Sequence, residues 1–170
     1  MDAQERRNAI AGELEQAQAP LSATALAKRF GVSRQIVVGD VALLRATGAD
    51  IIATPRGYVI PRAAGGSTRT FATRHTGGQM EAELHAMVDQ GCTVLDVTVE
   101  HPIYGQLTGA LNLSNRYEVS QFIARCREED AAPLSQLTEG VHLHTVLCPD
   151  EGAFARVQAA LRELGVLLED

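Results

Sequence analysis

Two histidines stand two residues apart in the run Val141-His142-Leu143-His144-Thr145. Side chains alternate between faces along a β-strand, so a strand here would project both imidazoles from one face and the aliphatic side chains from the other. Two imidazoles side by side can supply half of the ligands of a divalent transition metal. The pattern also fits two half-buried histidines of an edge strand, and the pair alone leaves both interpretations open.

Two further residues could complete a metal site. His75 closes an earlier alternating stretch, and Glu83 lies one turn into the helical segment that follows it. Together with His142 and His144 they make a set of three imidazoles and one carboxylate. Such a set suits Zn²⁺, Ni²⁺, Fe²⁺ or Co²⁺ and suits Ca²⁺ poorly. His101, at the end of another strand-like run, is placed to touch a ligand.

The segments after residue 67 alternate in the order strand, helix, strand, strand, helix, strand, helix. The predicted strands are 68–76, 93–101, 105–113 and 141–148, and the predicted helices are 78–90, 117–129 and 151–164. In the second strand Leu95, Val97 and Val99 are expected to share a face with His101. The βαββαβα order predicts one antiparallel sheet with helices on one face, an open-faced α+β sandwich.

The first 62 residues predict a separate domain. Helices are expected at 4–16, at 23–30 and from a cap at Ser33 to about residue 47, followed by a hairpin with Arg56 at its tip. This arrangement is that of an all-α winged helix-turn-helix with a β-hairpin wing. Ser33, Arg34 and Gln35 fall in the first turn of the second helix of the motif, which points into a major groove, and Arg56 lies on the wing. A three-helix interaction module of the same shape is the alternative.

Composition agrees with two small domains. Residues 1–62 contain 8 Lys and Arg against 6 Asp and Glu, whereas residues 63–170 contain 7 against 15. This division predicts a mildly basic DNA-binding domain (1–62), a small-residue linker (about 63–67) and an acidic regulatory domain (68–170). The three cysteines have no C-x-x-C spacing, which argues against a disulfide framework or a cysteine-based zinc site. We find no signal core or bilayer-length apolar run and expect a soluble, cytoplasmic protein.

Several of these motifs resemble known families. Leu26 to Gln35 and the Arg56-Gly57-Tyr58 block resemble the winged helix-turn-helix of many bacterial regulators and of biotin-ligase repressors. The blocks His101-Pro102-Ile103-Tyr104-Gly105 and Val141 to Thr145 resemble the 3H domain, which is named for its histidines. The whole chain resembles the niacin-responsive transcriptional repressors of NAD biosynthesis and niacin uptake. Gly39 departs from the helix-turn-helix pattern, and a glycine inside a helix costs about 1 kcal/mol relative to alanine.

This resemblance implies a mechanism. A divalent metal, nickel first and zinc or iron as alternatives, would be held by His75, Glu83, His142 and His144. Nicotinic acid would act as co-repressor, with its carboxylate or pyridine nitrogen on the metal or its carboxylate against His101 or Arg116. The protein would be a homodimer on a palindromic double-stranded DNA operator, with recognition helices about 34 Å apart.

Two other functions use the same residues. In a metal sensor, nickel or zinc itself would be the signal. In a metal-dependent hydrolase with a DNA-binding head, the same ligands would serve catalysis. The chain contains no glycine-rich phosphate loop, no G-x-S-x-G elbow and no H-E-x-x-H helix, so we expect that it is not an enzyme.

Overall fold

A computed structural model describes residues 1–61 and 65–169. The chain divides into two compact units, with the division between residues 63 and 64. The predicted domain end at residue 62 and the first part of the predicted linker 63–67 lie outside the described residues.

The N-terminal unit contains three helices and a two-stranded hairpin. They are α1 (Ala3–Gln16), α2 (Ala23–Phe30), α3 (Arg34–Ala46), β1 (Ile52–Thr54) and β2 (Gly57–Val59). Side-chain oxygens of Asp2, Ser22 and Ser33 accept backbone N–H groups at the starts of the helices, which explains where each helix begins. The predicted winged helix-turn-helix is confirmed.

The hairpin of this unit is fixed to the chain before α2. Leu21 and Tyr58 exchange two backbone hydrogen bonds, at 3.0 and 2.9 Å. Gly57 has φ +138°, and a Cβ there would lie 2.5 Å from the backbone of Leu21. Only glycine fits this close crossing, which holds the wing against the apolar core. That core consists of side chains from all three helices and the hairpin, including Ile10, Leu14, Leu26, Val37, Val41, Ile51 and Tyr58.

The C-terminal unit has the predicted βαββαβα order. Its elements are β3 (Ser67–Arg74), α4 (Met80–Val88), β4 (Thr93–His101), β5 (Gly105–Leu113), α5 (Arg116–Glu128), β6 (Val141–Cys148) and α6 (Glu151–Glu163). The four strands form one antiparallel sheet in the order β3-β6-β4-β5. The helices cover the sheet face that carries Phe71, Val146 and Cys148. The open-faced α+β sandwich is therefore confirmed, with a short 3₁₀ helix (Leu134–Thr138) that the sequence reading did not anticipate.

The predicted alternation along β4 is wrong at its start. Val94 is fully buried and Leu95 is only half-buried. The cause is a β-bulge, because β4 gains one residue relative to β6 between Val94 and Thr98. Beyond the bulge Val97 and Val99 face inward as expected. Asp96 lies within this bulge, and its backbone carbonyl contacts His144.

Candidate functional site

Four side chains from three elements converge beneath α4. Strand pairing places Thr73 opposite His142, so His75, just past the end of β3, lies beside the start of β6. Alternation along β6 then turns His142 and His144 toward the helices. Glu83, in the first turn of α4, reaches down to them and has no exposed surface.

The distances describe a carboxylate surrounded by imidazoles. His75 Nε2 lies 2.5 Å from Glu83 Oε2, and His142 Nε2 lies 3.0 Å from Oε1. His144 Nε2 lies 3.3 Å from Oε2. The ligand atoms of His75, Glu83 and His142 are all within 4.8 Å of one another, close enough to share one metal ion. His144 adds a contact to the same carboxylate.

The other ring nitrogen of each histidine contacts a backbone carbonyl. His75 Nδ1 lies 2.6 Å from the oxygen of Thr76, and His142 Nδ1 lies 2.8 Å from that of Gly140. His144 Nδ1 lies 2.8 Å from the oxygen of Asp96. A carbonyl can only accept, so each Nδ1 carries a proton and Nε2 is the nitrogen that faces the centre. Metal-binding histidines are held by this kind of contact.

This donor set fits a cation. Three Nε2 atoms face the carboxylate of Glu83, so either protons on the rings or a metal ion must lie between these atoms. Burial alone would raise the pKa of Glu83, but contacts with His142, His144 and His75 lower it well below its usual range. Burial lowers the pKa of His75, and contact with Glu83 more than offsets this and raises it. Nitrogen and carboxylate ligands of this kind suit a divalent transition metal.

Two backbone positions that hold these rings were missed from the sequence. The bulge in β4 directs the Asp96 carbonyl at His144, while the Asp96 carboxylate accepts the N–H of Thr145 at 3.2 Å. Gly140 has φ +91°, and a Cβ there would lie 2.4 Å from the carbonyl oxygen of His75. Glycine is required at this crossing, and a glycine directly before the histidine strand was the available signal.

His101 and Arg116 were both predicted to bind ligand, but they do not line the same cleft. His101 lines a cleft of about 770 Å³ whose wall also includes His142. Its Nδ1 accepts the N–H groups of Ile103 and Tyr104, at 3.1 and 3.3 Å, so a neutral ring presents Nε2–H as a donor. Arg116 instead makes two hydrogen bonds with Asp89, at 2.7 and 2.6 Å, in a separate depression formed with α4 and α6.

The residues predicted to contact DNA differ in exposure. Arg34 and Gln35 are exposed at the start of α3. The Ser33 hydroxyl is exposed and caps α3 by accepting the N–H of Ile36 at 3.2 Å. Arg56 lies at the turn of the hairpin as expected and is half-buried there. The three residues at the helix start therefore form one accessible group.

Comparison with known proteins identifies both units. Residues 68–170 match the 3H domain, and residues 6–59 match an HTH domain. The chain belongs to the 3H-domain family. The transcription repressor NadR of Bacillus subtilis is 44% identical over 169 residues, covering 97% of this chain and 94% of its own length. The probable transcription repressor NiaR of Thermotoga maritima is 40% identical over 167 residues, covering 98% and 95%.

These relatives bear on several predictions. The two relatives, which match nearly the whole chain, are named a transcription repressor and a probable transcription repressor, and this chain contains an HTH domain. The predictions of repressor family and of a protein that is not an enzyme are thus confirmed. Among residues 1–61 and 65–169, no helix of the 3H-domain protein is long and apolar enough to cross a membrane.

Proposed function

We propose that this protein is a DNA-binding transcription repressor of NAD biosynthesis and niacin transport genes, acting in the cytoplasm. Nicotinic acid is its co-repressor and nickel its metal, held by His75, Glu83, His142 and His144. It works as a homodimer on a palindromic operator. The HTH domain and the repressor relatives support the DNA-binding part of this proposal. The buried histidine and glutamate cluster supports the metal part.

The observation that carries the ligand proposal is the double role of His142. It contacts Glu83 within the buried cluster, and it also lines the open cleft that contains His101. The cleft, about 770 Å³, is within the size range of small-molecule sites. A molecule in this cleft would therefore sit beside the metal ligands without entering the apolar core.

The groups around the cleft suit a small aromatic carboxylate. His101 offers an Nε2–H donor, and Thr138 lies on the same wall, its hydroxyl donating to the carbonyl of Val141. Val141 and Leu143 provide apolar surface for a pyridine ring. Glu100 also lines the cleft and opposes a carboxylate, so binding of an anion needs positive charge nearby. A divalent metal at the cluster would supply that charge.

Ligand binding must favour one geometry of the dimer. A co-repressor shifts an equilibrium only if it binds the DNA-competent state more tightly than the other state. In that state the two α3 helices would lie one DNA turn apart, about 34 Å. An operator with two inverted half-sites is the DNA that matches such a dimer.

A titration of protein into labelled duplex tests this proposal. The duplex is selected by the full-length protein from a random pool, and it is titrated with and without nickel and with nicotinate, nicotinamide or benzoate. We expect tighter binding with nickel and nicotinate together, and little effect of nicotinamide, which lacks the carboxylate. Affinity that ignores nicotinate would overturn the co-repressor proposal. Affinity that depends on nickel but not on nicotinate would instead select a metal sensor.

A further inference from the structure

The outward face of α3 is almost devoid of hydrogen-bonding side chains. The exposed positions of this face are Gln35, Ile36, Gly39, Ala42, Leu43 and Ala46, here called the outward stripe. The other exposed residues of α3, Arg34 and Arg45, flank this stripe. Ile36 is 43% exposed and Leu43 is 52% exposed. A helix that faces water normally carries polar side chains on that side. A stripe of this composition indicates a surface that another molecule covers.

Gly39, at the centre of the outward stripe, has no structural reason within the N-terminal unit. A Cβ at Gly39 would meet no described atom within 4 Å. Alanine would favour the helix, because glycine in a helix interior is about 1 kcal/mol less favourable. A glycine kept in an open helical position allows another molecule to approach the helix backbone closely.

The charges around the stripe favour a polyanion as the partner. The one acidic residue of α3, Asp40, is turned inward and only 4% exposed. Its carboxylate lies 2.6 Å from Arg6 Nε and 3.6 Å from Arg7 Nη1. Arg34 is exposed at the first position of the helix. The stripe therefore carries no negative charge and begins beside a cation, as expected of a helix that enters a groove of DNA.

We propose that the outward stripe recognises A·T base pairs in the major groove, mainly through thymine methyl groups. Gln35 hydrogen-bonds N6 and N7 of adenine, and Ile36 and Leu43 contact the 5-methyl groups of thymine. Gly39 lets the helix axis lie close to the base edges. This inference rests on the proposed DNA binding and adds to it the base pairs read and the residues that read them.

Replacing thymine by uracil tests the inference, because uracil keeps every hydrogen-bonding group and lacks only the methyl. Full-length protein selects duplexes from a random pool, and each thymine of a selected half-site is then replaced singly. We expect A·T pairs at the centre of the half-site. We also expect about fourfold weaker binding for a replacement under Ile36 or Leu43, from the loss of one buried methyl. Duplexes that bind equally well with uracil at every position would overturn the inference and leave DNA binding intact.

Two variants assign the effect to the stripe. In the Ile36→Ala variant, replacing thymine by uracil at one position of the half-site should no longer weaken binding, because the side chain that contacted the methyl is gone. In Gly39→Ala, DNA affinity should fall while the melting temperature stays equal or rises, which excludes misfolding. Arg34→Ala is the matched control: it should weaken binding to all sequences alike and reduce the salt dependence.

Two further outcomes would contradict the inference. If Ile36→Ala and Leu43→Ala leave DNA affinity unchanged but alter the mass measured by light scattering, a second copy of the chain covers the stripe and the inference is wrong. If the random pool yields no bound sequence, the proposed function fails and the inference fails with it.

Discussion

His144 donates its Nδ1 proton to the backbone carbonyl of Asp96, 2.8 Å away, at the bulge of β4. The contact joins β6, which carries His142 and His144, to the neighbouring strand β4. It fixes which nitrogen of His144 faces Glu83. A ladder without the bulge would direct that carbonyl along the strand pairing instead. An irregularity of the sheet thus orients one of the predicted metal ligands.

Removing the carboxylate at the centre should abolish tight metal binding. Glu83→Gln keeps the shape of the side chain but removes the negative charge, so we expect at least about 100-fold weaker binding of nickel. Isothermal titration calorimetry measures the affinity, and elemental analysis measures the metal retained after purification. Glu81→Gln, a change of the same kind on the same helix, is the control and should leave affinity unchanged. Equal affinities for the two variants would contradict the assignment.

Asp96 should act on the metal through His144 and Thr145. Its carboxylate accepts the N–H of Thr145, and its carbonyl orients His144. Asp96→Ala should loosen the bulge and weaken nickel binding about tenfold, within the range for residues that orient metal ligands. Asp89→Ala, which removes a surface carboxylate paired with Arg116, is the control. If Asp96→Ala weakens nickel binding no more than Asp89→Ala does, the bulge does not affect the metal affinity of the site.

Metal binding should stabilise the protein more at high pH than at low pH. The raised pKa of His75 means that its protonated form stabilises the metal-free fold below about pH 6.5, and this contribution is lost as pH rises through the raised value. The lowered pKa of Glu83 means that its ionised form stabilises the fold above its ordinary pKa of 4.5, and this contribution is lost only on strong acidification. Protons compete with metal for the imidazoles, so the nickel-induced rise in melting temperature should be larger at pH 8 than at pH 6. A rise independent of pH would mean that nickel binds elsewhere.

The two predicted ligand-binding residues should behave differently. His101→Ala should weaken nicotinate binding about tenfold without changing the nickel content, because it removes a hydrogen bond to a charged group. Arg116→Ala should leave nicotinate binding within about twofold, since Arg116 is already paired with Asp89. Calorimetric titration of the nickel-loaded protein measures both. Loss of binding in Arg116→Ala alone would reverse the roles.

The ion pair between Asp40 and Arg6 should stabilise the N-terminal unit. The buried carboxylate makes its short contact with Arg6 and a longer one, 3.6 Å, with Arg7, so Arg6→Ala leaves only the weaker partner and should lower the melting temperature of that unit. Arg34→Ala, an exposed change, should leave it unaltered. Differential scanning calorimetry of the full chain measures the melting temperature of both variants. If Arg6→Ala melts at the same temperature as the parent protein, the pair of Arg6 and Asp40 does not stabilise the unit.

Much of this fold could be predicted from local patterns. The strands 93–101, 105–113 and 141–148 were predicted with the observed ends, because alternation and turn residues mark them directly. The helix caps Ser22 and Ser33 were likewise readable. The convergence of His75, Glu83 and His142 required the family resemblance, since spacing alone does not determine which strands pair.

The parts that were missed depend on tertiary contacts. Nothing local distinguishes Val94 from Leu95 as the buried residue, because the bulge arises from the pairing of β4 with β6. Arg116 was available as a ligand partner in the sequence, but Asp89, 27 residues earlier, binds it in the fold. The carbonyls of Thr76 and Asp96 that contact the histidine rings carry no side-chain signal in the sequence.

The burial of the histidine cluster also determines how quickly a metal can come and go. His75, Glu83, His142 and His144 are all less than 8% exposed and lie between the sheet and α4. A bound ion would leave only when that helix opens from the sheet, so its residence time would follow the slow local unfolding of the domain. The cleft beside His101 is open to solvent and can exchange a small molecule without such opening. We therefore expect the metal to be a long-lived part of the folded protein and the fast signal to arrive through the cleft.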